Sequence, residues 1–240
     1  MIDLKGKTVL ITGGARRLGR LFALACGRAG ANVILHHGHS PAEAETVREE
    51  IASFGAQAWV LAADLSHPEN ASTLIERASE LSPLYGLVNS ASIFEPLTVH
   101  NTSLADWERH LAINLTAPFL LCQAFAKRVH QGRIVNILDW RALRPSADHF
   151  PYTVTKSALA AMTRSLALAL APHIVVNGLA LGAILPPSDD PSAQEKVIEH
   201  VPAQRWSEAG EGEDALLFLL SGPAYITGEI IHVDGGRHLI

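Results

Sequence analysis

Residues 8–37 read TVLITGGARRLGRLFALACGRAGANVILHH, and this stretch decides the fold. A short β-branched and apolar run, TVLIT (8–12), enters a glycine-containing turn and then a segment of helical character at 17–29. A second apolar run, NVILHH (32–37), follows the helix almost at once. Two such runs joined by a helix predict a β-α-β unit with parallel strands.

The same alternation continues to the end of the chain. Further strands are predicted at 56–63, 85–90, 132–138, 173–181 and 229–236, and further helices at 41–54, 68–81, within 103–129, at 151–171 and at 211–221. The strands are almost continuously apolar, which is typical of parallel strands buried on both faces. We therefore expect an α/β protein, a single domain over residues 1–240, with a doubly wound, Rossmann-type parallel sheet of about seven strands flanked by helices.

One segment, residues 185–206, interrupts this alternation with prolines and charged residues. It follows the carboxyl end of the sixth predicted strand, the edge of the sheet at which such folds bind ligands. We predict that it forms a lid over the site, although an ordinary surface insertion would have the same composition.

Composition and charge argue against several classes of partner. The 240 residues carry a formal net charge of −5 and a pI of about 6.2, which disfavours nucleic acid and acidic membranes. No apolar run reaches the roughly 18 residues of a membrane span, and no signal-peptide pattern begins the chain. We expect a cytoplasmic protein with Cys26 and Cys122 reduced and no metal site, and we interpret the clustered His36, His37 and His39 as loop residues.

The turn TGGARRLGR (12–20) lies between the first strand and the first helix. Backbone N–H groups of such a turn, with the helix N-terminus, can face a pyrophosphate. The turn is not a P-loop, because Arg20 and Leu21 replace the required Lys and Ser/Thr. The candidate cofactor-binding residues here are Gly13, Arg16, Arg17, Leu18 and Gly19.

The end of the second strand indicates the type of cofactor. An NAD site generally places Asp or Glu there to accept from the ribose hydroxyls, but residues 31–42 contain no acid. His36, His39 and Ser40 offer donors instead, and the arginines of the glycine turn add positive charge. These residues favour the 2′-phosphate of NADP(H), although histidines that merely cap a loop would fit the same pattern.

Polar residues also follow the third and fourth strands. Asp64, followed by Leu65, is placed to accept a hydrogen bond from the adenine amino group. Asn89 is placed where a cofactor crosses the sheet. Either side chain could instead cap a local helix or turn.

The stretch NILDWRALRPSADHFPYTVTK (136–156) contains the candidate catalytic residues. Tyr152 and Lys156 are four positions apart, which places both on one face of a helix. Asp139 precedes the tyrosine at the end of the fifth strand.

Taken together, these motifs resemble the short-chain dehydrogenase/reductase family over nearly the whole chain. The matching segments are TGGARRLG (12–19), NSAS (89–92), the asparagine of LAINLTAPFL (111–120), YTVTK (152–156) and TGEIIHVDGG (227–236). The resemblance implies that Lys156 binds the nicotinamide ribose and lowers the pKa of Tyr152, and that Asn114 holds a water in a proton relay. It also implies cofactor contacts at Ser90, Ala91, Gly182 and Ile184.

Where the sequence departs from the common family pattern, it resembles the pteridine reductase branch. Arg17 replaces the middle glycine of the turn, Asp139 replaces the usual catalytic serine, and Ser92 is followed by Phe94. This likeness implies a pterin substrate stacked between Phe94 and nicotinamide, with Arg17 serving both the pyrophosphate and the pterin edge. Ser92 would donate to the substrate or to a cofactor phosphate.

An aspartate beside the tyrosine suits the reduction of C=N better than that of C=O. A carboxylate next to a developing alkoxide is electrostatically unfavourable. A reduced pterin presents N–H donors, and protonation of its nitrogen makes the neighbouring carbon a better hydride acceptor. Asp139 can hold a proton beside that nitrogen, directly or through one water, or keep Tyr152 oriented and protonated.

We therefore expect an NADPH-dependent reductase of a dihydropterin such as dihydromonapterin, dihydrobiopterin or dihydrofolate. One alternative is a carbonyl or quinone reductase of the same family in which Asp139 is incidental. A second is a nucleotide-sensing binding protein without catalysis. The apolar helices at 103–129 and 151–171 predict a homo-oligomer, with a tetramer favoured.

Overall fold

The computed structural model describes residues 1–186 and 196–240. Its centre is a seven-stranded sheet in the order β3-β2-β1-β4-β5-β6-β7, in which all neighbouring pairs are parallel. The strands are β1 Thr8–Ile11, β2 Asn32–His37, β3 Ala58–Ala62, β4 Leu84–Asn89, β5 Gly132–Asp139, β6 Ile174–Leu181 and β7 Ile230–Val233. The predicted fold class is confirmed.

The connecting helices lie on both faces of the sheet. They are α1 Arg17–Arg28, α2 Pro41–Ser53, α3 Asn70–Leu81, α4 Leu104–Leu111, α5 Ala117–Arg128, α6 Phe150–Leu170 and α7 Glu211–Ser221. Alternate residues of one strand point to opposite faces, so Val9 and Ile11 pack in one core cluster and Leu10 in the other. This two-sided burial explains the continuous apolar runs of the strands.

The predicted helix within 103–129 is interrupted in its middle. A π-helical turn, Ala112–Thr116, separates α4 from α5. Pro118 has no amide hydrogen, so the carbonyl of Asn114, four residues earlier, lacks its ordinary α-helical donor. Turns of this type are frequent at functional sites, and this one places Asn114 in the buried interior.

The order of the strands reverses its direction between β1 and β4, and the crevice at their carboxyl ends is where ligands of doubly wound sheets bind. No described helix has the length and apolarity that crossing a membrane requires. Within residues 1–186 and 196–240, no group of three His, Cys, Asp or Glu side chains is arranged to hold a metal ion.

Candidate active site

A cavity of about 780 Å³ opens at the carboxyl edge of the sheet. It brings together most of the residues predicted for the site, namely Gly13, Arg16, Arg17, Leu18, Gly19, Ser90, Ala91, Ser92, Phe94, Asp139, Tyr152, Lys156, Gly182 and Ile184. The remaining predicted residues, His36, His39, Ser40, Asp64, Leu65, Asn89 and Asn114, lie outside this lining.

The glycine turn is shaped by close backbone packing and by one strained residue. A Cβ on Gly19 would lie 2.0 Å from the Gly13 carbonyl oxygen, so only glycine fits where the helix begins against the turn. Arg17 has a φ of 47°, in the left-handed region that favours glycine. This conformation explains why a glycine is common at that position, and it turns the Arg17 side chain toward the cavity.

His36 is not free to act as the predicted donor to a 2′-phosphate, because both of its ring nitrogens are engaged within the protein. Its side chain is buried, Nδ1 accepts from the Gly13 N–H at 3.2 Å, and Nε2 bonds to the Ala63 carbonyl at 2.9 Å. Burial lowers the pKa of His36 to about 4, so the ring is neutral at pH 7. The structure thus corrects the prediction: His36 links the glycine turn to the loop after β3, and its ring N–H is already used in a bond to the Ala63 carbonyl.

The interpretation of the three histidines as loop residues is wrong for two of them. His36 and His37 are the last residues of β2 and are buried. His39 lies beyond the strand and is exposed, and Ser40 is the N-cap of α2 without a side-chain cap bond. His39 and Ser40 lie at the N-terminus of α2, and their predicted contact with a 2′-phosphate stays a prediction.

The polar residues after β3 and at the end of β4 have mainly structural contacts. Asp64 Oδ1 accepts from the Ser66 N–H at 2.9 Å and the Ser66 hydroxyl at 2.7 Å. Asp64 therefore caps a local turn, as the alternative to adenine binding predicted. Leu65 is buried in the core. Asn89 Nδ2 donates to Asn136 Oδ1 at 2.8 Å, inside the sheet, so the Asn89 side chain does not face the cavity.

Asp139 and Tyr152 are joined by a direct hydrogen bond. The Tyr152 hydroxyl, on the first turn of α6, donates to Asp139 Oδ2, at the end of β5, over 3.2 Å. Tyr152 is buried and only 16% of the Asp139 side chain is exposed. Burial raises the pKa of Tyr152 well above its ordinary value, and the negative charge of Asp139 raises it further. The tyrosine therefore holds its proton.

Arg141 was not predicted as a site residue, yet it organises this pair. Its backbone N–H donates to Asp139 Oδ1 at 2.9 Å, and its guanidinium lies 3.4 Å from the same oxygen. The other side of the guanidinium donates to Asp148 Oδ2 at 2.9 Å. Only 12% of the Arg141 side chain and 16% of the Asp139 side chain are exposed, so the contact between these two is shielded from water, whereas Asp148 is half exposed. The sequence signal was its position two residues after Asp139, at a strand end.

Lys156 lies one helical turn after Tyr152 and is fully enclosed. Its Nζ donates to the Ile137 carbonyl at 2.7 Å and lies 5.5 Å from the centre of the Tyr152 ring. Burial lowers the pKa of Lys156 to about 8. Among the charged groups near Tyr152, Arg141 is the cation that opposes the rise in its pKa. The role of Lys156 in lowering the pKa of Tyr152 stays a prediction.

Asn114 supports the loop after β4. Its Oδ1 accepts from the Ile93 N–H at 2.9 Å and from the Ser92 hydroxyl at 3.1 Å, while its Nδ2 donates to the Ile93 carbonyl at 3.0 Å. Nδ2 also lies 3.3 Å from the Thr155 hydroxyl on α6. The Asn114 amide therefore connects this loop to the helix that carries Tyr152, and the Ser92 hydroxyl already has a protein acceptor.

Phe94 is exposed at the cavity and stacks on a neighbouring ring. The Phe94 and His149 rings are 3.8 Å apart and nearly parallel, and the Tyr152 ring lies edge-on to Phe94 at 4.7 Å. Because 52% of Phe94 is exposed, it is not simple core packing. His149 has a left-handed backbone, with φ 53°, which brings its imidazole over the phenylalanine. One face of Phe94 is thus covered by a flat heterocycle.

The cavity lining also contains aromatic and basic side chains that were not predicted as individual site residues. Trp140, Trp206 and Arg237 line the cavity, and the guanidinium carbon of Arg237 lies 4.4 Å from the centre of a Trp140 ring. Residues 187–195 of the predicted lid lie outside the described residues. Leu185, near the start of that segment, and Trp206, at its end, both line the cavity, and the lid itself stays a prediction.

Comparison with known proteins agrees with the motifs. A family model described as Enoyl-(Acyl carrier protein) reductase matches residues 13–238. The 3-oxoacyl-[acyl-carrier-protein] reductase FabG of Aquifex aeolicus is 37% identical over 248 residues, 98% of each chain. Pteridine reductase 1 of Leishmania tarentolae is 37% identical over 276 residues, 96% of each chain. FolM Alternative dihydrofolate reductase 1 from Brucella canis, solved with NADP, has a TM-score of 0.93 at 35% identity, covering 99% of this chain and 96% of the other.

The chain therefore belongs to the short-chain dehydrogenase/reductase family and is an oxidoreductase. Its relatives include both a pteridine reductase and a 3-oxoacyl-[acyl-carrier-protein] reductase, at the same identity. Family membership alone thus does not select the substrate, and the geometry around Asp139 becomes the deciding feature.

Proposed function

We propose that the protein reduces a dihydropterin to a tetrahydropterin with NADPH. The observation that carries this proposal is the hydrogen bond from the Tyr152 hydroxyl to the Asp139 carboxylate, at 3.2 Å, inside the cavity. A carbonyl reductase needs a neutral donor at this place, whereas a C=N bond needs a proton source beside its nitrogen.

The residues of the cavity fit NADP(H). The glycine turn leaves room for a pyrophosphate, and Arg16 and Arg17 add positive charge to the same wall. The absence of any acid in residues 31–42 removes the usual acceptor for an unphosphorylated ribose. His39 and Ser40 are available to a 2′-phosphate, while Lys156 is placed for the nicotinamide ribose. The NADP held by the Brucella canis relative supports the same assignment.

When bound, NADPH supplies the hydride, and the protein supplies the proton and the orientation. Tyr152 stays protonated because of burial and the charge of Asp139, and it presents its proton at the Asp139 carboxylate. A pterin nitrogen next to this pair receives the proton directly or through one water. The backbone N–H of Arg141 holds Asp139 in place during this transfer.

Phe94 and Arg17 position the pterin ring. Flat heterocycles stack on aromatic side chains at about the separation seen for the imidazole of His149 over Phe94. A pterin would stack on Phe94 in the same way. It would either replace His149 on the covered face or bind to the other face of the ring. Arg17 has a left-handed backbone and lines the cavity, and in this arrangement it contacts both cofactor and substrate.

Carbonyl reduction is the second candidate, favoured by the identity to the Aquifex aeolicus enzyme. In that case the carboxylate of Asp139 would lie beside the oxygen that gains negative charge. Replacement of Asp139 by serine would then keep or raise the rate. The two candidates therefore predict opposite effects of one substitution.

The test compares NADPH oxidation with 7,8-dihydromonapterin, 7,8-dihydrobiopterin and dihydrofolate against ketones, quinones and a 3-oxoacyl thioester. We expect turnover of at least one dihydropterin and its collapse in Asp139→Ala, with NADPH affinity and unfolding midpoint retained. Glu80→Ala, an exposed carboxylate on α3, serves as the control and should match the native protein. A preference for carbonyl substrates, or an active Asp139→Ser variant, would favour the second candidate.

We also propose that the chain forms a homo-oligomer, with a tetramer favoured. Leu168 on α6 is 84% exposed and Leu104 on α4 is 71% exposed, which leaves apolar side chains on the helices expected to pair. Chromatography with light scattering measures the assembly. A Leu168→Glu variant should dissociate, and a native monomer would contradict the proposal.

A further inference from the structure

Asp148, in the loop between β5 and α6, is shared by two side chains that act on different parts of the active site. Its Oδ2 accepts from Arg141 Nη2 at 2.9 Å and from His149 Nδ1 at 3.0 Å. Burial would raise the pKa of Asp148, but hydrogen bonds from Arg141 and Ser146 hold it below its ordinary value, so the carboxylate is ionised and can only accept. One oxygen therefore links the imidazole of His149 to the guanidinium of Arg141.

The contact with His149 holds a cover over Phe94. The imidazole lies on one face of the phenylalanine, with the two rings 3.8 Å apart and nearly parallel. A pterin that stacks on this face has to displace the imidazole. The backbone of His149 is left-handed, a conformation that a residue with a side chain keeps only when its surroundings hold it. The bond to Asp148 is one such contact, and it fixes the direction of the ring.

The contact with Arg141 holds the guanidinium beside Asp139. Arg141 Nη1 lies 3.4 Å from Asp139 Oδ1, whereas Nη2 lies 2.9 Å from Asp148 Oδ2. The guanidinium thus bridges two carboxylates, and its closer contact is with Asp148. Asp148 therefore anchors the cation whose other side restrains Asp139, the acceptor of the Tyr152 hydroxyl.

From this shared oxygen we infer that Asp148 is a positioning residue that couples the uncovering of Phe94 to the restraint of Asp139. The inference rests on the proposed pterin reduction and adds a residue to it. When a pterin displaces the His149 imidazole, Asp148 Oδ2 loses one of its two described donors. The bond from Arg141 then strengthens, because an acceptor shared by two donors binds each of them less strongly than it binds one alone. Asp139 is thus restrained most firmly when the pterin ring is in place.

The test measures KM and kcat of Asp148→Ala with the dihydropterin that the native protein reduces fastest. We expect KM to fall about two- to fivefold, because the cover over Phe94 is no longer held. We expect kcat to fall about three- to tenfold, because Arg141 loses its closer anchor. A residue that only stabilises the loop would not lower KM. Asp148→Glu keeps the carboxylate and should restore part of kcat.

Asp3→Ala is the matched control and should change neither constant. Asp3 is exposed and precedes β1, so it lies at the end of the sheet opposite the cavity. Urea unfolding of each variant shows whether the fold persists.

Two double variants separate the two contacts of Asp148. In a His149→Gly background, Asp148→Ala should leave KM unchanged and still lower kcat, since the cover is already gone. In an Arg141→Gln background, Asp148→Ala should still lower KM and leave kcat unchanged.

A KM that rises or stays constant in Asp148→Ala, or effects that are the same in both backgrounds, would overturn the inference while native turnover of a dihydropterin keeps the proposed function. No turnover of any dihydropterin by the native protein would overturn the proposed function, and the inference with it.

Discussion

Replacing Tyr152 by phenylalanine and Asp139 by asparagine, separately and together, tests whether they act as one proton-delivering unit. The two side chains share one hydrogen bond of 3.2 Å in a shielded site. Proton transfer by a positioned acid contributes about 10²–10⁴-fold to a rate. Each single variant should therefore lose about 10²–10⁴-fold in kcat with a dihydropterin, because either change removes the charged partner or the proton itself.

The double variant should lose little more than the worse single variant, since groups that act as a unit are not additive. A 10²-fold loss corresponds to about 2.7 kcal/mol, so the coupling free energy between the two positions should be at least about that large. Asparagine at position 139 keeps an oxygen for the Arg141 N–H, which lies 2.9 Å from Oδ1 in the native protein. The substitution therefore removes the negative charge and the proton acceptor at position 139 with little change in the shape of the side chain.

Single-turnover oxidation of bound NADPH measures this loss without interference from product release. NADPH fluorescence titration and urea unfolding show whether cofactor binding and folding persist in each variant. If the double variant loses the product of the two single losses, Tyr152 and Asp139 act independently, and the reasoning fails.

Three other predictions follow from the described contacts. Between pH 7 and pH 5, the free energy of unfolding should fall by about 2 kcal/mol, because the unfolded chain is protonated at His36 near the ordinary pKa of 6.5 while the folded protein, with a pKa of about 4, stays neutral there. Urea unfolding of His36→Gln should show a smaller loss over this range, and an equal loss would contradict the assignment. Arg141→Gln should lower kcat about tenfold or more while NADPH affinity holds, since a hydrogen bond to a charged group contributes about 1.5–3 kcal/mol; equal losses in both quantities would place Arg141 in cofactor binding instead. His149→Gly should lower KM for a dihydropterin by about two- to tenfold, because it relieves the left-handed backbone and uncovers Phe94; a higher KM would mean that His149 helps to bind the substrate.

The sheet could be predicted from the sequence because its signals are local. Apolar runs bounded by turns predict buried parallel strands, and their alternation with helices predicts the doubly wound arrangement. The break at Ala112–Thr116 also had a local signal, since Pro118 removes the donor to the Asn114 carbonyl. It was missed because apolar periodicity continues across the π turn.

The misassigned and missed site residues depend on contacts that no local pattern encodes. His36 is a neutral, structural residue because its two ring nitrogens form hydrogen bonds with Gly13 and Ala63, which are distant in sequence. The stacking of His149 on Phe94 depends on one left-handed residue in a loop. Arg237 reaches Trp140 only because the chain returns to the site after β7.

The charged groups of the cavity favour reduction of a C=N bond over reduction of a C=O bond. Among the residues that the structure describes, Asp139 is the one carboxylate that lines the cavity, and Arg141 offsets its charge from the side away from Tyr152 Oη. This arrangement keeps a proton on the tyrosine and an acceptor beside it. A carbonyl oxygen that becomes an alkoxide would meet that carboxylate as a repelling charge, whereas a pterin ring would donate its N–H groups to it and take a proton at nitrogen. The same acid that is unfavourable for one substrate class is thus a recognition element for the other.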